Sequence, residues 1–216
     1  MRSEKKSIDC SLCAITVDNP TLGRSHNDIA VAAIRGGATM IQFRDKTMDD
    51  AIFEKEAERV GDIAKDAGVL FIVNDRVDIA KRCGADGVHV GREDTDIVAA
   101  RTALGLDAII GVSVSGREEA LAAEAAGADY LGAGPVFETG SKDDAGRPIG
   151  LEEMAEICRS VILPVIAIGG ITMANAADVM AAGAAGIAVI AAIAEAPDMT
   201  LAANDLRGCV ERNVAS

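Results

Sequence analysis

The chain has very few aromatic side chains. They make up 2% of its 216 residues, with no tryptophan and one tyrosine, although 50% of the residues are hydrophobic. Its core must therefore be aliphatic. The sequence also lacks an apolar run of the roughly 18 residues that a membrane-spanning helix needs. The charged start, MRSEKKSIDC, leads into no apolar signal segment. We therefore expect a cytoplasmic protein without a membrane partner.

Basic residues are also scarce relative to acidic ones. There are 21 lysines and arginines against 34 aspartates and glutamates, which gives a net charge of -13. This balance argues against nucleic acid or an anionic membrane as a partner. It leaves room for a small anionic substrate, because a local basic pocket can exist in an acidic protein.

The cysteines do not form a pattern typical of a disulfide framework or a metal site. The chain has 5 of them, scattered, without a secretory signal, so we interpret them as reduced thiols. Cys10 and Cys13 form a single C-x-x-C motif. A metal or redox site would need a second pair or a thioredoxin-like context, and the sequence provides neither.

Short apolar runs alternate with helical patterns that often end at glycine, which is the residue that favours a left-handed helix cap. The predicted strands are Leu12–Val17, Thr39–Phe43, Val69–Val73, Val88–Val90, Ala108–Val112, Tyr130–Ala133, Val165–Ile168 and Ile187–Ile190. The predicted helices are Asn27–Arg35, Met48–Ala67, Val77–Cys83, Asp94–Leu104, Gly116–Ala126, Leu151–Ser160 and Met173–Ala182, followed by a helical C-terminal segment. This alternation predicts a single-domain (β/α)₈ barrel over residues 1–216. A doubly wound open sheet is the alternative, but no G-x-G-x-x-G follows the first strand.

Active sites of such barrels lie at the C-terminal ends of the strands. After the second strand, alternation places Gln42, Arg44 and Lys46 on one side of an extended segment. An amide, a guanidinium group and an ammonium group together suit a polyanion. An ordinary solvated Arg/Lys pair beside Asp45 is the simpler interpretation, and the position at a strand end favours the functional one.

Carboxylates follow the third and fourth strands, which are neighbours in a parallel barrel. Asp75 comes directly after Asn74, and Asp94 follows Gly91. The two aspartates could share Mg²⁺, which takes one or two protein carboxylates beside substrate phosphates. The alternative is that each aspartate caps the helix that follows it.

The remaining strand ends carry hydroxyl groups, glycines and one lysine. They comprise Ser113 after the fifth strand, Thr139, Ser141 and Lys142 after the sixth, Gly169 and Gly170 after the seventh, and Ile190 and Ala191 after the eighth. Backbone amides after strands 7 and 8 commonly bind phosphate in these barrels. Of the two histidines, His89 lies inside a strand and fits a core residue better than a base, and His26 lies in a loop with no evident partner. We find no nucleophilic triad, so the residue types at the strand ends favour phosphate and Mg²⁺ binding over covalent catalysis.

Seven segments carry a resemblance to a known family. In order, they are IQFRDK, VNDRVDIA, GADGVHVGRED, GVSVS, GADYLGAGPVFETGSK, PVIAIGGI and GAAGIAVIAAI. Together they resemble thiamine-phosphate synthases. The resemblance implies a (β/α)₈ barrel and a transferase that joins a pyrimidine methyl diphosphate to a thiazole phosphate. Such an enzyme releases pyrophosphate and forms thiamine phosphate.

The resemblance also implies roles for individual residues. Those expected to hold the pyrimidine diphosphate are Gln42, Arg44, Lys46, Asn74 and Lys142. Asp75 and Asp94 resemble the Mg²⁺ ligands, and Ser113 resembles a residue near the aminopyrimidine and the reacting centre. The resemblance thus implies that Arg44, Lys46, Ser113 and Lys142 serve catalysis. Those that resemble the thiazole phosphate site are Thr139, Ser141, Gly169, Gly170, Ile190 and Ala191.

Two positions depart from the family pattern. Ala191 stands where a serine is usual, and Arg92 stands where glutamine is common. Three alternatives stay open: a thiazole tautomerase, a non-catalytic sensor of phosphate ligands, and an unrelated sugar-phosphate isomerase of the same fold. Tautomerase relatives carry a histidine where this chain has Pro135, and Ala191 is the feature that points toward a sensor. A homo-oligomer is possible on the sequence alone.

Overall fold

The structure is a computed structural model that describes residues 8–91, 94–141 and 146–214. Eight parallel strands form a closed barrel in the order of the chain, and β8 pairs with β1. The strands are β1 Leu12–Thr16, β2 Met40–Phe43, β3 Leu70–Asn74, β4 Gly87–Val90, β5 Ile109–Val114, β6 Tyr130–Ala133, β7 Val165–Ile168 and β8 Gly186–Val189. The predicted (β/α)₈ barrel is confirmed, and the strand ends differ from the sequence prediction by at most two residues.

The helices surround the barrel. They are α1 His26–Arg35, α2 Asp50–Asp66, α3 Val77–Arg82, α4 Ile97–Leu104, α5 Arg117–Ala126, α6 Gly150–Ser160, α7 Ala176–Ala181, α8 Ala191–Ala194 and α9 Met199–Val214. A 3₁₀ turn at Pro20–Leu22 precedes α1. The one-turn helix α8 is additional to the outer ring, which α9 completes. No helix in the described part of the chain is both long and apolar enough to cross a membrane.

The side chains of the strands form two packed layers, one inside the barrel and one between the barrel and the helices. On β3, Ile72 faces the barrel interior with other aliphatic side chains, whereas Phe71 and Val73 face the helices. Side chains alternate along a strand, so Asn74 shares the inner face with Ile72. Asn74 lies beside His89 of β4 in the barrel register. The inner face therefore becomes polar toward the C-terminal end of the barrel.

A buried ion pair holds the opposite end of the barrel together. Arg101 of α4 reaches Asp129, just before β6, with 2.5 Å between Nη2 and Oδ2. The same carboxylate oxygen accepts the backbone N–H of Ile110 at 2.8 Å. Arg101 also donates to the carbonyl oxygen of Ala108. One side chain thus connects α4, β5 and the entry to β6.

We expect Arg101→Met to lower the free energy of unfolding by about 3 kcal/mol, because it leaves the buried carboxylate of Asp129 without its cation. Urea denaturation would measure the change. Arg117→Met is the matched control, since Arg117 lies 4.0 Å from Glu156 and both side chains are more than half exposed. It should change stability by less than about 0.5 kcal/mol. Equal losses in the two variants would contradict the prediction.

Candidate active site

A cavity of about 970 Å³ opens at the C-terminal end of the barrel. The predicted site residues that line it are Lys46, Asp94, Ser113, Thr139, Ser141, Gly169, Gly170, Ile190 and Ala191. The predicted residues that lie outside its lining are Gln42, Arg44, Asn74 and Asp75. Lys142 and Arg92 lie outside the described residues. The structure thus brings together residues from the ends of six strands.

The two aspartates and Lys46 form one cluster at the cavity rim. Lys46 Nζ lies 2.5 Å from Asp75 Oδ2. The Asp75 and Asp94 carboxyl groups interact as a hydrogen-bonded pair. Asp94 Oδ2 also accepts the backbone N–H of Gly91 at 2.7 Å. Two oxygen ligands from adjacent strands therefore face each other beside a positive charge.

The surroundings of the cluster shift the pKa values of Asp75 and Asp94 in opposite directions. Burial raises the pKa of Asp75, and the neighbouring Asp94 adds to this effect, while Lys46 opposes it. Burial also acts to raise the pKa of Asp94, but hydrogen bonds from Asp75 and the Gly91 N–H outweigh it and lower that pKa. Two carboxylates this close together favour a bound cation.

Neither aspartate caps a helix, so the capping interpretation was wrong. The N-cap of α4 is Asp96, whose carboxylate accepts from the backbone N–H groups of Val98 and Ala99. The N-cap of α3 is Arg76, without a side-chain cap. Asp75 has a φ of 63°, which is the left-handed region that non-glycine residues rarely enter. Such a conformation costs about 1–3 kcal/mol and is most common at functional sites.

The described residues contain no group of three or more His, Cys, Asp or Glu side chains placed to hold a metal ion. A pair of carboxylates still fits Mg²⁺, because this ion usually keeps waters and takes phosphate oxygens from the substrate. The paired oxygens of Asp75 and Asp94 are the donor type that Mg²⁺ prefers. The donor set therefore fits the ion that the sequence predicted.

The loop between β2 and α2, which carries the predicted basic side chains, contacts the turn after β3 in two ways. Arg76 donates to the carbonyl oxygens of Asp45 at 3.3 Å and Met48 at 2.7 Å. Arg76, the neighbour of Asp75 in the chain, thus binds the loop, and Lys46 of the loop binds Asp75. The loop and the aspartate turn are consequently fixed relative to each other.

The expectation that His26 has no partner was wrong. His26 is the first residue of α1 and is buried, with Nδ1 2.8 Å from Thr16 Oγ1. Its Nε2 lies 3.5 Å from Asp45 Oδ2. Burial lowers the pKa of His26, and Asp45 opposes this shift. The sequence could not reveal this contact, because His26 and Asp45 lie on different elements.

Ser113 is held by a side chain that the sequence placed in the core. Its Oγ lies 2.9 Å from Nε2 of His89, which is 6% exposed. The other ring nitrogen of His89 lies 3.0 Å from the hydroxyl of Tyr130. The interpretation of His89 as a hydrogen-bonded interior residue agrees with these contacts.

The loops after β6 and β7 pack directly on each other. Gly169 has a φ of 94°, and a Cβ there would lie 2.6 Å from the Cα of Pro135. Gly170 has a φ of 66°, and its Cβ would lie 2.8 Å from the Cβ of Phe137. Both positions thus require glycine for conformation and for space. The side-chain amide of Asn175 stabilises this turn by donating a hydrogen bond to the Gly170 carbonyl oxygen at 3.0 Å.

The turn after β8 reaches the cavity through Ile190 and Ala191. Ile190 is the N-cap of α8, and Ala191 is its first residue. The first N–H groups of a helix have no partner within the helix. Arg24 holds the other end of α8 through a 2.7 Å bond to the carbonyl oxygen of Ala194. Ile190 and Ala191 line the cavity, so the start of this short helix adjoins it.

Several cavity residues were missed by the sequence analysis. Glu138 and Thr172 line the cavity from the loops after β6 and β7, and Ser115 follows β5. Ser115 lies one residue and Thr172 four residues past a strand end, and Glu138 directly precedes the predicted Thr139, which was the available signal. Nothing in their residue types distinguishes them from ordinary loop residues.

Comparison with known proteins identifies the chain's relatives. The family model for thiamine monophosphate synthase matches residues 12–193. The chain belongs to this family. The thiamine-phosphate synthase of Chloroflexus aurantiacus is 48% identical over 203 residues, which cover 94% of each chain. That of Methanoregula boonei is 50% identical over 185 residues, which cover 86% of each chain.

The solved structures agree with this membership. The thiamine phosphate pyrophosphorylase of Pyrococcus furiosus is similar to the chain with a TM-score of 0.88 and 42% sequence identity. The match covers 96% of this chain and 98% of that one. A 3-hexulose-6-phosphate synthase has a TM-score of 0.68 at 20% identity, which shows a shared fold alone. The thiamine monophosphate synthase family thus accounts for both the fold and the sequence motifs.

Proposed function

We propose that the chain is a thiamine-phosphate synthase, a transferase that joins a pyrimidine methyl diphosphate to a thiazole phosphate and releases pyrophosphate. The observation that carries the proposal is the composition of the cavity. Lys46 and Asp94 line it together with the glycine turn Gly169–Gly170 and the residues at the start of α8. Both proposed phosphate sites thus border one cavity of about 970 Å³.

The diphosphate would bind beside the aspartate cluster. Lys46 supplies a positive charge there, and Arg44 and Lys142 are further proposed contacts of the diphosphate. Asp75 and Asp94 would hold Mg²⁺, which neutralises charge on a departing pyrophosphate. Gln42 and Asn74 are proposed contacts of the same substrate from the inner face of the barrel.

The thiazole phosphate would bind between the turn after β7 and the start of α8. Gly169 and Gly170 permit close approach of the backbone to the phosphate, and the amides near Ile190 and Ala191 offer donors. Thr139 and Ser141 add hydroxyl groups from the loop after β6. This arrangement would place the thiazole nitrogen opposite the pyrimidine.

The reaction needs no general base, because the thiazole nitrogen attacks with its own lone pair. An electron-rich aminopyrimidine can lose pyrophosphate to give a short-lived carbocation-like species. The protein would therefore act by stabilising charge on the leaving group and by orienting the two substrates. Ser113 would lie near the pyrimidine ring.

The tautomerase alternative requires a group that transfers a proton. The chain has two histidines. His26 contacts Thr16 away from the cavity lining, and His89 is engaged by Ser113 and Tyr130. Pro135 occupies the position where tautomerase relatives carry histidine. These features support the synthase over the tautomerase.

Pyrophosphate release from the purified chain tests the proposal. We expect release only when both substrates and Mg²⁺ are present, with thiamine phosphate formed in equal amount. Binding of both ligands without release would support a phosphate-ligand sensor instead. Isomerisation of a thiazole carboxylate phosphate without any pyrimidine would support a tautomerase.

Ala191 offers a gain-of-affinity prediction. We expect Ala191→Ser to lower the KM for the thiazole phosphate about 10-fold, because a new hydroxyl can donate to a charged phosphate oxygen. Steady-state kinetics with each substrate varied in turn would measure this. The KM for the pyrimidine diphosphate should stay unchanged and serves as the internal control. An unchanged KM for both substrates would place the phosphate away from α8.

A further inference from the structure

Two polar rings lie inside the barrel, and two glycines leave space for them. Tyr130 of β6 is 1% exposed and His89 of β4 is 6% exposed. A Cβ at Gly111 would overlap the Tyr130 ring, and a Cβ at Gly132 would lie 2.9 Å from the Cε1 of His89. The barrel interior is thus built around these two rings.

The rings form a continuous polar connection to the cavity. The Tyr130 hydroxyl is 3.0 Å from Nδ1 of His89, and Nε2 of His89 is 2.9 Å from Oγ of Ser113. Ser113 lines the cavity, whereas neither ring does. The side-chain hydrogen bonds that lead from the two rings to the cavity therefore run through Ser113.

The direction of the hydrogen bonds follows from the surroundings of Tyr130. Burial raises the pKa of Tyr130 well above its usual value, so its hydroxyl carries a proton at neutral pH. A buried hydroxyl must donate that proton to an acceptor. The Gln42 side chain donates a hydrogen bond to the Tyr130 oxygen, because this contact lowers the pKa of Tyr130, whereas the Gln42 amide oxygen makes no hydrogen bond within the described residues. The acceptor is therefore Nδ1 of His89.

This assignment fixes the rest of the connection. A histidine that accepts at Nδ1 is neutral and carries its proton on Nε2. Nε2–H then donates to Oγ of Ser113. The hydroxyl proton of Ser113 is left to point toward an acceptor in the cavity.

We propose that Tyr130 and His89 are positioning residues that fix Ser113 as a hydrogen-bond donor toward a ring nitrogen of the bound aminopyrimidine. The identity of this ligand rests on the proposed function. The hydrogen-bond directions do not, because they are a property of the free protein. A donor at this point holds the heteroaromatic ring in one orientation and selects ligands that present an acceptor there.

The tautomer of His89 can be measured without any substrate. The chain has 2 histidines, so nitrogen NMR of protein labelled with ¹⁵N-histidine gives two sets of ring signals. The set that disappears in His89→Gln belongs to His89. We expect this ring to be neutral with the proton on Nε2. A proton on Nδ1, or on both nitrogens, would overturn the proposal even if the chain is an active synthase.

A double-mutant cycle tests whether Tyr130 acts through Ser113. Tyr130→Phe removes one hydroxyl and keeps the ring that Gly111 accommodates. We expect kcat to fall about 10- to 100-fold, with the KM for the thiazole phosphate unchanged. In the Ser113→Ala background the same change should cost less than about 2-fold, since the partner is already absent. Multiplicative losses would show a merely structural role and overturn the proposal.

Substitutions of His89 provide a second comparison that does not depend on Tyr130. The side-chain amide nitrogen of Gln can occupy the place of Nε2 and donate to Ser113, whereas the shorter Asn cannot reach it. We expect His89→Gln to retain at least about 10-fold more activity than His89→Asn. Equal activity of the two variants, with both folded by circular dichroism, would contradict the proposed donor. Absence of pyrophosphate release from the unsubstituted chain would overturn the proposed function and leave the tautomer measurement valid.

Discussion

Asp75→Asn is expected to reduce pyrophosphate release by about 100- to 1,000-fold, because it removes one of two carboxylates proposed to hold Mg²⁺ beside the leaving group. Asparagine has nearly the same shape and tolerates the left-handed conformation that Asp75 adopts at a φ of 63°. The fold should therefore persist, and the loss should report the missing charge. The Mg²⁺ concentration for half-maximal rate should rise.

Asp78→Asn is the matched control for this experiment. Asp78 lies three residues further along, in α3, and its side chain is 71% exposed, with Arg82 Nη1 2.8 Å from Oδ2. We expect its rate and its Mg²⁺ dependence to stay within about 2-fold of the unsubstituted chain, because exposed ion pairs contribute little. A full rate for Asp75→Asn with an unchanged Mg²⁺ requirement would place the metal elsewhere.

Gly169→Ala is expected to reduce the rate about 100-fold, mainly by raising the KM for the thiazole phosphate. The new methyl group would collide with Pro135 and would separate the loop after β6 from the turn after β7. The turn would no longer offer its backbone to the phosphate in the same position. Steady-state kinetics with the thiazole phosphate varied would measure the effect.

Gly127→Ala separates backbone strain from collision. Gly127 has the same φ of 94° as Gly169, but a Cβ there would meet nothing within 4 Å. Both substitutions should lower the free energy of unfolding by about 1–3 kcal/mol through backbone strain. Only Gly169→Ala should also lose activity. Equal activity losses would show that the packing of the two loops is unimportant for the site.

The sequence was sufficient for the barrel. Each strand is a short apolar run that is buried on both faces, and most helices end at or near a glycine. These patterns are local, so they can be recognised without knowledge of the tertiary contacts. The boundaries were less certain, because helix starts depend on caps. Asp96, and not Asp94, caps α4, which moved the start of that helix from residue 94 to residue 97.

The candidate site was predictable to the extent that strand ends mark it. Once the strands are placed, Lys46, Asp94 and Ser113 must lie near one another, because parallel strands end on the same side of a barrel. The role of Gly169 and Gly170 was only partly predictable. The sequence suggests a turn, whereas the need for glycine comes from Pro135 and Phe137, which lie on another loop.

The sequence by itself determined the fold class, the side of the barrel that carries the site and the residue types available there. The tertiary structure decided which of these residues touch. It placed His89 within hydrogen-bonding distance of Tyr130, 41 positions away in the chain, and of Ser113, 24 positions away. It also brought Lys46 into an ion pair with Asp75. The physical reason is that strand and helix patterns arise from neighbours along the chain. Side-chain partners are decided by barrel closure, which brings distant segments within hydrogen-bonding distance.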